Sequence, residues 1–462
     1  MSLLNPVFAT ENVRYRDGKR YAWFVSILVP AVLGCGPLFY ALTGSVASLW
    51  LPAVLVYGSI PLLDVILGED RSNPPEEVVP LLEADPYYRW ATYALVPVLW
   101  IAFLGNAYFV GTETLPWYGV LAIALNTGIL CGVAINLGHE LGHKKSKLER
   151  NLATAVLSMG AYGHFAIEHN RGHHRHVATP EDCASSRMGE TLYGFALREL
   201  PGGFRRAWML EAGRLERHEK RVWSLENEIV RAGLITLVVS LGLVAAFGAV
   251  MVPYLLATYF VGAFHLTMAN YIEHYGLLRQ KRANGLYERC EPHHSWNSNH
   301  TCSNWATYHL QRHSDHHANP GRRYQSLRHF DGLPTLPNGY FGMFLVSLVP
   351  SLWFRVMDPL LLGHADRDPA RINFDPKRRE ALCARHSLVD PKPIEEAVDT
   401  ARAAALGREL VGADARKVSH LLDEVHGESV AMVCGPEVLE WVDVHDRAGV
   451  VAEAELAMDR AR

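Results

Sequence analysis

Residues 117–144 read WYGVLAIALNTGILCGVAINLGHELGHK and join an uncharged apolar run to two histidines. A membrane-spanning helix needs about 20 mostly apolar residues, and this run is long enough. His139 and His143 follow it four residues apart, so on a helix they lie on one face. The stretch therefore predicts a membrane span that ends in a metal site.

Further apolar runs predict further spans at 22–43, 47–67, 90–110, 232–250 and 253–272. Six runs with so few charges are hard to bury in a soluble fold. A last apolar segment, 340–362, is interrupted by Pro350, Arg355 and Asp358, and we expect it to lie in the interface or close the domain. The predicted fold is all-α, an integral membrane bundle of about six transmembrane helices with a cytoplasmic helical cap that carries the histidines.

Lysine and arginine near the span ends predict the orientation. Lys144, Lys145 and Lys147 follow the fourth span, and Lys281 and Arg282 follow the sixth. Because cytoplasmic loops carry an excess of these residues, both termini and all histidine clusters are expected in the cytoplasm. The net charge of −4, with no basic aromatic-rich stretch, argues against nucleic-acid binding.

The composition divides the chain into two predicted domains. Residues 1–365 form the membrane domain, and 366–462 form a cytoplasmic tail rich in Asp, Arg, Ala and Glu, to which we assign no role. One intramembrane charge, Asp64, is either a functional residue or a local cap at the interface. The seven cysteines form no CxxC pair, so no zinc ribbon is expected.

The chain has 23 histidines, and further clusters lie in EHNRGHH (168–174), NYIEHYG (270–276) and LQRHSDHH (310–317). In an α-helix His169 and His173 share a face, whereas His174 points about 100° away and could reach a second metal. Nine histidines are too many for one ion and fit two, and imidazole suits iron, zinc, copper or nickel. The nine predicted ligands are His139, His143, His169, His173, His174, His274, His313, His316 and His317.

Four acids sit inside these motifs: Glu140, Glu168, Glu273 and Asp315. Metal-bound imidazoles usually donate their second N–H to a carboxylate or carbonyl, so we expect these acids to orient the ligands. The nearby histidines outside the repeated spacing are expected to be structural; they are His164, His176, His265, His293, His294, His300, His309 and His329.

Taken alone, the HELGH motif is also the HExxH of zinc metalloproteases, in which Glu140 would be the general base. That interpretation leaves the other clusters without a role. A metal transporter would need polar residues deep within several spans, and few are present.

The blocks HELGHK, EHNRGHH, NYIEHYG and LQRHSDHHANP together resemble the membrane alkane monooxygenases. The three-cluster plan is shared with membrane fatty-acid desaturases, sterol oxidases and xylene monooxygenases, whereas the last two blocks favour the alkane branch. LLDVILGEDRSNPPEE (62–77), SWNSNH (295–300) and LPNGYFGM (336–343) are also similar to that family. The resemblance covers roughly 20–365. This chain has Asn319 where the family often has a histidine. That position is not one of the nine predicted ligands, so the difference does not change the predicted ligand set.

The resemblance implies terminal hydroxylation of n-alkanes to 1-alkanols at two non-haem Fe ions held by the nine histidines, with O2 as co-substrate. It implies two electrons from a rubredoxin, a rubredoxin reductase that uses NAD(P)H, a bacterial inner membrane, and alkane taken from the lipid phase. Without paired cysteines in this chain, the rubredoxin is expected to be a separate protein. A fatty-acid desaturase or xylene-type hydroxylase is the alternative.

Two surfaces are predicted with this function. An apolar substrate channel is expected along the second span, walled by Trp50, Leu51, Val54, Leu55 and Ile60. An acidic rubredoxin could bind to a basic patch. The alternative is that these basic residues only set the orientation in the membrane. The patch comprises Lys144, Lys145, Lys147, Arg171, Arg175, Arg322, Arg323 and Arg328.

Overall fold

The computed structural model describes residues 5–389, 429–434 and 437–443. Short strands β1 (Phe8–Ala9) and β2 (Arg14–Tyr15) pair antiparallel, as do β3 (Ser429–Cys434) and β4 (Glu437–Asp443). The α-helices in chain order are α1 (Val25–Leu33), α2 (Gly36–Thr43), α3 (Leu51–Leu67), α4 (Val79–Ala84), α5 (Pro86–Thr112), α6 (Trp117–Gly142), α7 (Lys147–Met159), α8 (Phe165–Glu168), α9 (His174–His176), α10 (Leu192–Arg217), α11 (Glu228–Phe247), α12 (Met251–His274), α13 (Thr301–Ala306), α14 (His313–Ala318), α15 (Tyr340–Ser347), α16 (Pro350–His364) and α17 (Arg379–Arg385).

The protein is a helical multi-pass membrane protein, which confirms the prediction of an all-α bundle of about six spans. Among the described residues, five helical segments are long and apolar enough to cross a membrane, and six spans result if one bent helix pair counts as a span. The five are Val46–Leu67, which includes the 3-10 turn before α3, together with α5, α6, α11 and α12.

The bent pair is α1 with its preceding turn, and α2, which meet at 52°. The span predicted over 22–43 is therefore two helices. The break falls at Gly34 and Cys35, where a Cβ on Gly34 would lie 3.0 Å from Cβ of Ala102 on α5. Pro37 follows in the first turn of α2, where proline is tolerated because its missing N–H would be unpaired.

The centre of the bundle is α6, the most buried span, with α12 packed along it. Their close approach depends on small residues, as is usual in membranes. A Cβ on Gly128 would lie 2.4 Å from Cβ of Val261, and one on Gly262 would lie 2.7 Å from Cβ of Cys131. This packing brings the histidine-bearing ends of the two spans together.

Asp64 is fully buried and holds α13 against the second span. Its carboxylate accepts hydrogen bonds from the backbone N–H of Ser303 at 2.9 Å and from the Ser303 hydroxyl. These bonds reach a residue 239 positions away, so Asp64 does not make the local pairing expected at the interface, and a functional role for it stays a prediction. The segment predicted at 340–362 forms two helices, α15 and α16, neither of which is a candidate span.

The chain separates into two compact units, Met1–Leu382 and Cys383–Arg462. The first unit continues past residue 365, because Phe374 bridges to Met188 and Ile372 bridges to Leu277. Most of the tail predicted over 366–462 lies outside the described residues. In its described part, the second unit contains the β3–β4 hairpin.

Candidate metal centre

The nine predicted histidines come together as two separate groups. The five-histidine group comprises His139, His143, His169, His174 and His316. The four-histidine group comprises His173, His274, His313 and His317. Within each group, one ring nitrogen of every member lies within 4.8 Å of the corresponding nitrogens of the others.

The Nε2 atoms converge at the spacing of ligands around one ion. In the five-histidine group, Nε2 of His316 lies 2.9 Å from that of His139 and 3.2 Å from that of His174, and His169 and His174 are 3.0 Å apart. In the four-histidine group, His313 and His317 are 2.9 Å apart. Nitrogens about 2.1 Å from a shared ion and at right angles around it would be about 3 Å apart.

The histidines of EHNRGHH (168–174) do not divide between the groups as α-helical spacing predicts. That spacing would pair His169 with His173. His169 joins His174, while His173 belongs to the other group. The reason is a π-helical turn over His169–His173, in which bonds run from i to i+5. The wider turn brings positions 169 and 174 together, and such turns often occur at functional sites.

The third cluster is also divided. α14 carries His313, His316 and His317 on one side, as the spacing predicts, but His316 reaches the five-histidine group and the other two reach the four-histidine group. α14 therefore lies between the two groups and contributes to both.

The donors suit metal cations that prefer imidazole. Burial, followed by the neighbouring imidazoles, holds the pKa values of His143, His169 and His174 well below their usual range, so these rings are neutral. Neutral imidazole is the form that binds metal. Among the residues that the structure describes, the buried Nε2 atoms of His143, His173 and His274 have no hydrogen-bond partner, although leaving such an atom unpaired costs about 1–3 kcal/mol. The residues therefore fit a metal in each group.

Asp182 is the functional residue that the sequence did not reveal. His173 donates its Nδ1–H to Oδ2 of Asp182 at 2.8 Å, which directs the Nε2 lone pair into the four-histidine group. Asp182 also accepts bonds from Arg206 at 2.7 Å and Ser185 at 2.7 Å. Although burial opposes this, its contacts with His173 and Arg206 hold the pKa of Asp182 well below its usual range. Asp182 lies outside every histidine motif, so no spacing marks it.

Of the four predicted acids, Glu273 alone contacts a group imidazole among the described residues. Its Oε2 is 3.3 Å from Nε2 of His313, on the nitrogen that faces the group rather than on the opposite one. Glu140 instead pairs with Lys144 at 3.0 Å. Glu168 pairs with Arg206, and Asp315 accepts bonds from Asn319 at 2.8 Å and Arg322 at 3.1 Å.

Several histidines outside the two groups hydrogen-bond to other parts of the protein. His294 is an example, since Nδ1 accepts from the backbone N–H of Glu291 at 2.9 Å. Its Nε2 therefore carries the proton and donates to Glu288 at 3.0 Å. Both ring nitrogens of His294 are therefore engaged in hydrogen bonds.

An apolar cavity borders both groups. His139 and His169 contribute to its wall from the five-histidine group, and His313 contributes from the four-histidine group. The cavity follows α12 from Glu273 to His265, a rise of about 12 Å for eight residues. Its other walls are mostly apolar, including Val133, Phe165, Leu266, Leu310, Phe341 and Phe344.

The amino-acid sequence is similar to those of known proteins over most of its length. The fatty acid desaturase family profile matches residues 114–346. Alkane 1-monooxygenase 1 of Alcanivorax borkumensis is 52% identical over 80% of this chain and 92% of that protein. The alkane 1-monooxygenase of Ectopseudomonas oleovorans is 52% identical over 79% of this chain and 91% of that protein.

This chain belongs to the alkane 1-monooxygenase family. The predicted resemblance and the prediction of an enzyme are thereby confirmed. A hydroxylase component of xylene/toluene monooxygenase from Pseudomonas putida is 27% identical over 71% of the chain, so the alkane 1-monooxygenases are the nearer relatives.

The predicted channel walls do not line the cavity of this alkane 1-monooxygenase family member. Leu51, Val54 and Leu55 are exposed on the outer side of α3, Trp50 is half-buried, and Ile60 is buried in the core. The physical reason is that other side chains separate α3 from the cavity. The Tyr57 hydroxyl of α3 lies at hydrogen-bond distance, 3.0 Å, from Nε2 of His265, and the Tyr57 ring packs on Phe341. His265 and Phe341 are the residues that face the cavity.

Proposed function

We propose that this protein hydroxylates the terminal carbon of n-alkanes to give 1-alkanols. The apolar cavity that touches both histidine groups carries the proposal, and relatives named alkane 1-monooxygenase supply the substrate class. Each turnover takes one alkane, one O2, two electrons and two protons, and gives one alcohol and one water. The electrons come from a separate rubredoxin, which a rubredoxin reductase reduces.

One non-haem iron in each histidine group is the proposed cofactor. Nine imidazole nitrogens, divided five and four, give each ion its own donor set. When bound, the irons supply the activation of O2. Imidazole also suits other metals, and oxygen chemistry is what favours iron.

The side chains around the site position an alkane and exclude water. Because an alkane has no polar group, its orientation must come from the shape of the cavity, and Leu266, Phe341 and Phe344 supply such walls. Asp182 keeps the proton on Nδ1 of His173 and so fixes the orientation of one ligand. A dry site also strengthens electrostatic interactions around the reacting groups.

We place the protein in the bacterial inner membrane with the histidine groups facing the cytoplasm. The basic residues after α6 and α12 support this orientation. Alkane partitions into the bilayer, while rubredoxin and its reductase are soluble on the proposed side.

Most basic residues of the patch proposed to bind rubredoxin already form ion pairs within the protein. Lys144 pairs with Glu140, and Arg322, Arg323 and Arg328 pair with Glu76 or Glu149. Arg171 contacts Glu211 at 3.3 Å. In the described part of the chain Lys145, Lys147 and Arg175 are exposed and outside the ion pairs, so they are the favoured docking residues.

The direct test uses anaerobically purified protein with rubredoxin, reductase and NADH, supplied with O2 and either octane or hexadecane. We expect 1-alkanol from at least one alkane, formed only when every component is present. Parallel reactions with xylene and with an acyl lipid test the alternatives, by methyl hydroxylation and by new double bonds respectively. Product from these and none from any alkane would overturn the proposal.

A further inference from the structure

Helix α10 carries a stripe of apolar side chains that the described protein leaves uncovered. Tyr193, Leu197 and Phe204 are exposed by 48%, 81% and 49%. Leu200 and Trp208 are half-buried. The spacing of four, three, four and four residues places all five on one side of the helix. A contiguous apolar surface of this kind usually marks a contact with a partner or a membrane.

The helix meets three different environments. Phe195, Glu199 and Gly203 are buried against the rest of the protein. At 100° per residue, Leu197 and Phe204 lie about 150° from Glu199 around the axis. Arg205 and Glu216 are exposed and lie about 100° further, on a polar side.

The apolar stripe is continuous with the outer surface of two membrane spans. The Tyr193 ring stacks on Phe264 of α12 with centroids 6.3 Å apart, and Phe264 stacks on Phe260 at 5.9 Å. Phe260 is 61% exposed on that span, where lipid is its environment. At the other end, Trp208 packs on Trp223 at 4.8 Å, and α11 begins soon afterwards.

Contacts of Glu199 place part of α10 beside the end of α12. Glu199 accepts hydrogen bonds from Thr267 at 2.7 Å and Asn270 at 3.1 Å, close to the end of α12. This part of α10 therefore lies beside the histidine-bearing end of α12. Tryptophan and tyrosine concentrate at this level of membrane proteins. Arg217 at the end of α10 and Arg221 after it are exposed, and basic residues of this kind favour anionic headgroups.

We propose that α10 and the connection to α11 form an in-plane membrane helix. The stripe and Trp223 lie in the boundary between headgroups and acyl chains, in the leaflet next to the histidine groups. The partner is the phospholipid bilayer, because the stripe continues the lipid-facing surfaces of α11 and α12. An apolar face beside a charged face is the pattern of such interfacial helices.

Site-directed spin labelling tests the proposal on the full-length protein in phospholipid nanodiscs. The label is attached to Leu197→Cys on the stripe or to Glu216→Cys on the polar side, with unsubstituted protein labelled in parallel as background. Oxygen concentrates in lipid, while a nickel chelate stays in water. We expect oxygen to be the more effective relaxant at position 197 and the chelate to be more effective at 216.

Two results would overturn the proposal. The first is greater relaxation by the chelate at both positions, which would place the stripe in water. The second is protection of position 197 from both reagents, or protection that develops only when rubredoxin is added, which would identify a protein partner.

A second measurement avoids the new cysteines. Phospholipids brominated on the acyl chains quench nearby tryptophan. We expect Trp223→Phe to remove part of the quenched fluorescence, whereas a substitution of the buried Trp353 by Phe should remove unquenched fluorescence. An unchanged quenched component in Trp223→Phe would contradict the assignment.

Discussion

The two histidine groups differ in their exposure and in the residues behind them. All members of the four-histidine group are buried, whereas His143 and His174 of the five-histidine group are only partly buried. In the four-histidine group, Asp182 accepts a hydrogen bond from Nδ1 of His173. The backbone carbonyl oxygen of His294 lies 3.4 Å from Nδ1 of His274. The four-histidine group is therefore the enclosed and oriented one, and the five-histidine group is the one that reaches the surface.

This difference assigns the groups different roles in the proposed reaction. An enclosed group with a carboxylate behind a ligand holds its metal in a fixed geometry. A group that reaches the surface is the better placed to receive electrons from a soluble donor. The cavity touches both, so substrate is offered to the whole centre.

Removing one ligand from each group should give the largest contrast. His317→Ala leaves three imidazoles in the enclosed group, and we expect loss of one iron per chain and of detectable alkanol formation. His143→Ala leaves four imidazoles in the other group, and we expect most of the iron to remain with slower turnover. Emission spectrometry measures the iron content per chain of each variant, and initial rates measure its alkanol formation. Equal iron loss in the two variants would contradict the distinction.

Asp182→Asn should weaken metal binding in the four-histidine group alone. The amide cannot accept the Nδ1–H of His173 with a full charge, and loss of such a partner typically lowers metal affinity about 10- to 100-fold. Competition with a graded series of chelators would show one of two irons released earlier. Glu140→Gln is the comparison, since Glu140 contacts Lys144 instead of an imidazole. Equal release of both irons in Asp182→Asn would argue against a specific role.

Substitution of Glu199 should have a smaller effect, which is a change in how thermal stability depends on pH. Burial raises the pKa of Glu199 from its ordinary value of 4.5 to about 7. The folded protein keeps this proton where an unfolded chain loses it, so its stabilising contribution is present below pH 4.5 and is lost as pH rises through about 7. We expect metal-free Glu199→Gln to melt a few degrees above wild type at pH 8, with a smaller difference at pH 5. An identical difference at both pH values would contradict the assignment.

The smallest effect concerns electron delivery to the five-histidine group. Lys145 follows His143 closely and Arg175 follows His174, and both are exposed. We expect Lys145→Ala and Arg175→Ala to raise the KM for rubredoxin a few-fold, in a way that high salt abolishes. Lys145→Arg, which keeps the charge, should behave as wild type. A KM that salt does not affect in wild type would exclude electrostatic docking.

The sequence predicted the fold well because each span is a local property. Long apolar runs identify helices such as α6 and α12 without any knowledge of their packing. The bend between α1 and α2 was missed, because it depends on the approach of Ala102 to Gly34 from another helix. The channel along the second span stays a prediction: His265 and Phe341, which are far away in sequence, lie between α3 and the cavity described above.

The sequence indicated which nine histidines come together but not how they divide into two groups. Spacing correctly placed His313, His316 and His317 on one side of α14, yet it could not show that the groups divide them. The π-helical turn at His169–His173 exchanged the expected partners, and an i, i+4 pattern contains no sign of it. Asp182 comes from a loop, so only tertiary structure brings it to His173.

Mössbauer spectroscopy of protein reconstituted with 57Fe tests the central claim most directly. Two irons in groups of five and four imidazoles should give two quadrupole doublets of equal area, and His317→Ala should lose one doublet while the other remains. A single doublet in the wild type, or protein that holds zinc and takes up no iron, would contradict a centre built from two separate histidine groups.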